Sequence, residues 1–342
     1  MPDPRFFELG PPIAIRELAA LAGAQDPGPE VADRLISGVG SLETAGPDEV
    51  TFHFGRQHLA ALERTSAAAC FVGSAQVQHV PAATVPLQTA FPQNAFARAA
   101  ERLYSVRRCE AGSSSVHPSS RIEDGAVVEP GAVIGADAEI GSGTVIGAGA
   151  VIGPGVTIGR DCRIGPRVVV MCALVGDRVR LQAGAVIGEA GFGAAAGPNG
   201  VIDLPQLGRV ILQDGVSVGA NSCIDRGALE DTVIGENTKI DNLVQIAHNV
   251  CIGRNCVLAA HTGISGSCTI GDGCMFGGRV GLADHLTIGN GVRLAAASGV
   301  MHSIADGETW GGYPARPVSQ WMREVATLSK LTRSHGEAKR RT

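Results

Sequence analysis

Two histidines and a glycine hold the clearest chemical potential in this sequence: His248, Gly266 and His285. An imidazole titrates close to neutrality, so it can take a proton at physiological pH. A glycine leaves its backbone N–H uncovered, and a bare N–H can hold the oxyanion of a tetrahedral intermediate. The three act together only if the fold brings them together, and the spacing says that it does. From Ile234 onward every sixth residue is apolar: Ile234, Ile240, Ile246, Ile252, Leu258, Ile264, Ile270, Phe276, Leu282, Ile288, Leu294 and Val300. A period of six fits neither the α-helix nor a plain strand. It fits a hexapeptide-repeat β-helix, whose three short strands make a triangular coil of about 18 residues. His248 follows Ile246 by two places, and Gly266 follows Ile264 in the same way. Coils stack roughly 4.8 Å apart, so Gly266 lies one coil above His248, and His285, beside Asp284, lies two coils above, within roughly 10 Å. This edge could open a thioester by direct attack of an acceptor, with no Ser or Cys nucleophile. Zinc is the competing use of three histidines, but His248, His261 and His285 lack the HxxxxH pair that γ-class carbonic anhydrases place on such a fold. No metal is expected. An ice-binding or structural β-helix would show Thr ladders or no convergent histidines.

The elements that hold these residues follow from the same period. It begins at Val116, runs through Ile122, Val128, Ile134, Ile140, Ile146, Ile152, Ile158, Ile164 and Val170, slips by one, and resumes at Val175, Leu181 and Ile187. A Gly-rich loop at 189–208 interrupts it, and a four-residue offset at 227–231 precedes the long ladder. Loops that break a solenoid gather on one face and often build a site. The aliphatics fill the interior, and glycine one place after them is expected to supply corner backbone that a Cβ would hinder. Residues 1–108 lack the period and read as a small α/β domain: helices at 13–21 and 94–104, strands at 50–54, 67–72 and 84–87. Residues 109–115 read as a linker, 116–305 as the β-helix and 306–342 as an exit loop with an amphipathic helix over 318–331. The predicted fold is therefore mainly β: a left-handed parallel β-helix with a small N-terminal α/β domain and a C-terminal helical extension.

Composition narrows the class. Hydrophobic residues are 44% and aromatic residues only 4%, which suits a narrow aliphatic prism. A net charge of −5 gives no sign of nucleic acid. Nine cysteines without a CxxC pair, several at small interior positions, read as reduced packing residues. Residues 1–10 lack the apolar core of a signal peptide and no long apolar run occurs, so no integral membrane segment and a cytoplasmic location are expected. From Arg316 onward seven Lys or Arg stand against two Glu, a solvated tail or a surface for an acidic partner.

Several motifs are more specific than the period. They are Phe6-Phe7-Glu8-Leu9-Gly10-Pro11, Val50-Thr51-Phe52, Gly191-Phe192-Gly193, Pro205-Gln206-Leu207-Gly208-Arg209-Val210 and Ile224-Asp225-Arg226-Gly227-Ala228-Leu229. Ile240-Asp241-Asn242 with Gln245-Ile246-Ala247-His248-Asn249-Val250 is the strongest, and Gly312-Tyr313-Pro314-Ala315 with Trp321 and Arg323 closes the set. With these the chain resembles the UDP-3-O-(3-hydroxyacyl)glucosamine N-acyltransferases of bacterial lipid A synthesis over nearly its whole length. The resemblance implies a uridine-binding N-terminal domain and a homotrimer with active sites between neighbouring β-helices. It implies a (3R)-hydroxyacyl donor on the phosphopantetheine of acyl carrier protein, no separate cofactor, and the 2-amino group of a UDP-3-O-acylglucosamine as acceptor. His248 falls on the family's general base, His285 on its second active-site histidine and Gly266 on the oxyanion position. Phe52, Arg56, His58, Asp241, Asn242 and Gln245 are the implied substrate contacts. The sequence departs from the family after Thr51-Phe52: the usual Asn-Pro and following Tyr are Gly55, Arg56 and His58, and the usual Asp of the Gly-rich loop is Ala190. Phe52 could still stack on uracil, with Arg56 meeting phosphate by charge. A sugar-nucleotide N-acetyltransferase using acetyl-CoA and a non-catalytic trimeric scaffold are the alternative readings.

Overall fold

In the computed structural model, which describes residues 2–55, 57–109, 115–313 and 315–339, the period-six segments wind into a left-handed parallel β-helix. Nine strands from Val133–Ile134 to Gly299–Val300 form what we call the glycine face, nine from Arg121–Ile122 to Thr287–Ile288 the threonine face, and ten from Val127–Val128 to Thr309–Trp310 the basic face. Each strand pairs in parallel with its equivalent in the next coil, as in Gln245↔Gly263 and Ile246↔Ile264. In the first coil Ile122 is exposed and Val116 and Val128 are half-buried, while from Ile134 onward the in-register aliphatics are buried. Each contributes about 1.5–3 kcal/mol on burial, so stability rests on contacts between neighbouring coils.

The glycines that follow the ladder residues stand where a Cβ would be hindered, and the hindrance comes from space rather than from backbone conformation. Gly235, Gly253, Gly271 and Gly289 do not have positive φ. A Cβ on Gly235 would lie 2.5 Å from the Gly253 carbonyl carbon, and one on Gly253 would lie 2.6 Å from that of Gly271. They are there to let successive coils approach. The left-handed corner residue comes two places later and is often not glycine: Asn237, Asn249, Asn255 and His285 all have φ between 56° and 59°. Asparagine tolerates this conformation through its short polar side chain.

The N-terminal unit is a four-stranded parallel sheet in the order Gly38–Val39, Glu49–Phe52, Ala69–Val72, Val85–Gln88, packed against the Pro92–Leu103 helix. A strand at Phe7–Leu9, not foreseen from the sequence, pairs antiparallel with Tyr104–Val106. The first helix begins at Ile15, because Ile13–Ala14 pairs with Leu35–Ile36. The 50–54 strand ends at Phe52, where His53 turns inward and its Nε2 hydrogen-bonds the Gln57 carbonyl at 2.7 Å. Ion pairs hold this unit to the prism: Arg107–Asp137 at 2.8 Å, and Arg209 bridging Asp3 and Asp231 at 2.7 Å each. Partial burial pushes the Asp3 carboxyl up, but hydrogen bonds from Arg5 and Arg209 outweigh it and hold the group at about 2. Most of the 109–115 linker lies outside the described residues. The C-terminal helix runs from Val318 to Lys339, longer than expected, and exposes Val318, Trp321, Met322, Val325 and Leu328.

Candidate active site

The edge where the glycine face turns into the threonine face collects almost everything that interrupts the prism. The 189–208 insertion leaves there, the 227–231 offset lies there, and Asp137 meets Arg107 there. His248, Gly266 and His285 stand on the same edge. Ser267 N–H donates to the His248 carbonyl at 3.0 Å, and His285 N–H to the Gly266 carbonyl at 3.0 Å, so the three sit on successive coils.

The His248 ring lies directly on Gly266. A Cβ placed on Gly266 would be 2.7 Å from His248 Cε1 and 2.8 Å from Nε2. Gly266 φ is not in the left-handed range, so this glycine is needed for space rather than conformation. Its N–H donates no hydrogen bond to the described residues. At some other corners that N–H is taken: Arg254 N–H donates to Asp272 Oδ1 at 2.7 Å, and Asn290 N–H to Asp306 Oδ1 at 2.8 Å. The Gly266 donor is therefore open beside a half-buried imidazole.

The tautomer of that imidazole is set by Asn249. Asn249 Oδ1 accepts the Ala228 N–H at 2.9 Å, which fixes it as the oxygen, and it lies 2.9 Å from His248 Nδ1. Nδ1 therefore carries the hydrogen, and Nε2, toward Gly266, keeps the lone pair. Burial pushes the neighbouring Asp225 carboxyl up, against the hydrogen bond from Gln245 and the charge of His248 that pull it down. Gln245 Nε2 donates to Asp225 Oδ2 at 2.9 Å, which ties this outward residue of the glycine face to the carboxyl beside the edge. The sequence reading missed the parts of Asn249 and Asp225. Asn249 was masked because asparagine is the ordinary choice at a left-handed corner.

The other implied contacts are not all brought together. Asp241 and Asn242 lie on the edge between the basic and glycine faces, one whole face away from His248 in the same chain. Their side chains also tie coils together: Asp241 Oδ2 accepts Ala260 N–H at 3.1 Å, and Asn242 Oδ1 accepts Ala220 N–H at 2.7 Å. His261 follows the basic face, so the three-histidine zinc set does not converge. Phe52 is half-buried against Phe96, ring centroids 4.7 Å apart, while Phe54 is 62% exposed. His58 is exposed and begins the Leu59–Leu62 turn with φ 61°. Arg56 lies outside the described residues.

Comparison with known proteins decides the family. The chain is 56% identical over 336 residues to the UDP-3-O-acylglucosamine N-acyltransferase of Caulobacter sp. (strain K31), covering 98% of each. It belongs to the UDP-3-O-acylglucosamine N-acyltransferase family. The enzyme of the same name from Caulobacter vibrioides (strain NA1000 / CB15N) is 58% identical over 98% of this chain and 99% of that one. That of Azorhizobium caulinodans is 53% identical over 99% and 98%. The family model for UDP-3-O-(3-hydroxymyristoyl) glucosamine N-acyltransferase, LpxD, matches residues 33–102. The bacterial transferase hexapeptide model matches 119–154, 137–171 and 231–266, and the hexapeptide repeat of succinyl-transferase matches 155–189 and 268–298. As a member of this N-acyltransferase family the chain is an enzyme. No described helix is long and apolar enough to cross a membrane.

Proposed function

We propose that this N-acyltransferase moves a (3R)-hydroxyacyl chain from the phosphopantetheine thioester of acyl carrier protein to the 2-amino group of a UDP-3-O-acylglucosamine in lipid A synthesis, with His248 as general base. The observation that carries the reading is the His248 ring seated on Gly266, whose N–H is open. The acceptor amine attacks the thioester carbonyl carbon as its proton passes to His248 Nε2. The Gly266 N–H receives the oxyanion. The carbonyl re-forms, the C–S bond breaks, and the leaving sulfur takes the proton back from the imidazolium, so the balance closes without a cofactor or metal. His285, exposed one coil above Gly266, contacts the sugar nucleotide or the donor arm. Phe52, with Arg56 and His58 close to it in sequence, receives the uridine end, and the basic C-terminal segment meets the acidic carrier. Product mass after supplying carrier-bound or CoA-bound acyl donors tests this. An N-acylated product from the carrier donor supports it, and acetyl transfer from acetyl-CoA alone contradicts it.

The glycine face offers the acyl track. Outward positions beside the site read Gln245, Gly263, Gly281 and Gly299 in register. A Cβ on any of these three glycines would meet open space. Glycine in a strand interior marks a place where something approaches the backbone closely. Gly281→Leu is expected to lower kcat/KM for long-chain donors by about 10–100-fold while short donors lose little, as pocket methylenes discriminate on that scale. Donors of graded length give the readout.

A homotrimer would join what one chain keeps apart. If Asp241 serves the same reaction as His248, it does so from the neighbouring protomer. Mixing His248→Ala with Asp241→Asn chains is then expected to restore about one quarter of wild-type turnover, since one site in four pairs two intact residues in a cyclic trimer. No recovery on mixing would place Asp241 outside the site.

A further inference from the structure

We propose that Arg226 is a positioning residue of the transfer: it clamps both ends of the 189–208 insertion so that Gly191 bears on the His248 imidazole while the tip of the insertion grips the N-terminal unit. The inference rests on His248 being the base. Arg226 is only 6% exposed, yet its partners are not carboxylates. Its Nη1 donates to the Gly188 carbonyl at 2.8 Å, where the insertion leaves the prism. Its Nε donates to the Gln206 carbonyl at 2.7 Å, where the insertion returns. A planar guanidinium can reach both carbonyls at once, which an ammonium cannot do in the same geometry.

What it holds is a built arm rather than a loose loop. Ala194–Gly197 pairs antiparallel with Gly200–Asp203, and Leu204 N–H closes onto the Gly193 carbonyl at 2.9 Å. At the root of the arm a Cβ on Gly191 would stand 2.7 Å from His248 Cβ and 3.2 Å from Cδ2, so this glycine lies on the ring's flank. Gln206, 4% exposed, packs its side-chain amide behind Gly191 and Gly193. At the tip a Cβ on Gly197 would be 2.3 Å from Asn94 Nδ2, and Asn94 is buried on the Pro92–Leu103 helix. That helix also carries Phe96, which packs on Phe52. One continuous arm thus runs from the uridine-side aromatic pair to the base, and Arg226 is the point at which it is fixed.

The test measures the ring itself. Diethyl pyrocarbonate labelling of His248, read by peptide mass, is compared in wild type, Arg226→Met, Arg226→Lys and Gly197→Leu, alongside kcat and KM. Arg226→Met is expected to label about fivefold faster, because a released arm uncovers the ring by local opening. Its kcat should fall about 10–100-fold, as small misplacements of a catalytic group do, with donor KM within about twofold. Arg226→Lys should fall between, and Gly197→Leu should shift labelling the same way from the far end of the arm. Wild-type labelling and kcat in a folded Arg226→Met would overturn the proposal. If that variant does not fold, wild-type values in Gly197→Leu would do so. Labelling needs no turnover, so loss of the base assignment and loss of the clamp give different results.

Discussion

His248→Ala is expected to lose about 10²–10⁴-fold in kcat, the range that a positioned general base contributes and equivalent to about 3–5 kcal/mol of barrier. The fold should not change. His248 is half-buried on the outside of an edge, and the aliphatic ladder beneath it, Ile246 and Ile264, stays intact. The loss should fall on kcat rather than on KM for either substrate, because the proposed mechanism transfers the proton only as the transition state forms. A thermal melt close to wild type with near-normal turnover would remove the base assignment. The same assay on Asn249→Ala reports the tautomer: without the Oδ1 acceptor, Nδ1–H is no longer specified and part of the loss should appear there.

Gly266→Ala should be almost as damaging for a different reason. The new methyl would sit 2.7–2.8 Å from two ring atoms of His248, closer than carbon atoms tolerate. The ring must turn away and give up its bond to Asn249, or the corner must shift and carry the N–H with it. Under the proposed mechanism both outcomes spoil the oxyanion geometry, and removing one such donor costs about 10²–10³-fold. Alanine can adopt the Gly266 backbone, since φ there is not left-handed. Stability should therefore fall little while kcat collapses, which circular dichroism and steady-state rates can separate. By contrast Gly235→Ala drives a methyl into the Gly253 backbone and should destabilise the coil without touching the site.

Much of this was legible because a solenoid converts sequence distance into height. Eighteen residues between His248 and Gly266 become one coil, and the register of Ile246 with Ile264 makes that conversion reliable. The same logic misleads for neighbours in sequence. Asp241 is only seven residues from His248, but the chain crosses a whole face between them, so proximity along the chain is separation in the prism. The insertion was readable as a break, not as an arm. Its hairpin and the seat of Gly197 on Asn94 are contacts between two units with no common period. The corner glycines are legible as places where a Cβ would be hindered, but only the structure names the obstacle, the backbone of the next coil at Gly235 and Gly253. Phe52 shows a further limit: its strand alternation was clear, but only packing reveals that one side of its ring is already taken by Phe96.

The most direct measurement is the single-turnover rate of amide formation from carrier-bound (3R)-hydroxyacyl thioester in wild type, His248→Ala, Gly266→Ala and the double variant. If the imidazole and the open N–H serve one tetrahedral intermediate as a unit, the double variant should be no slower than about the slower single variant. Losses that multiply across the two substitutions would mean that His248 and Gly266 act independently, and the one-edge mechanism would be contradicted.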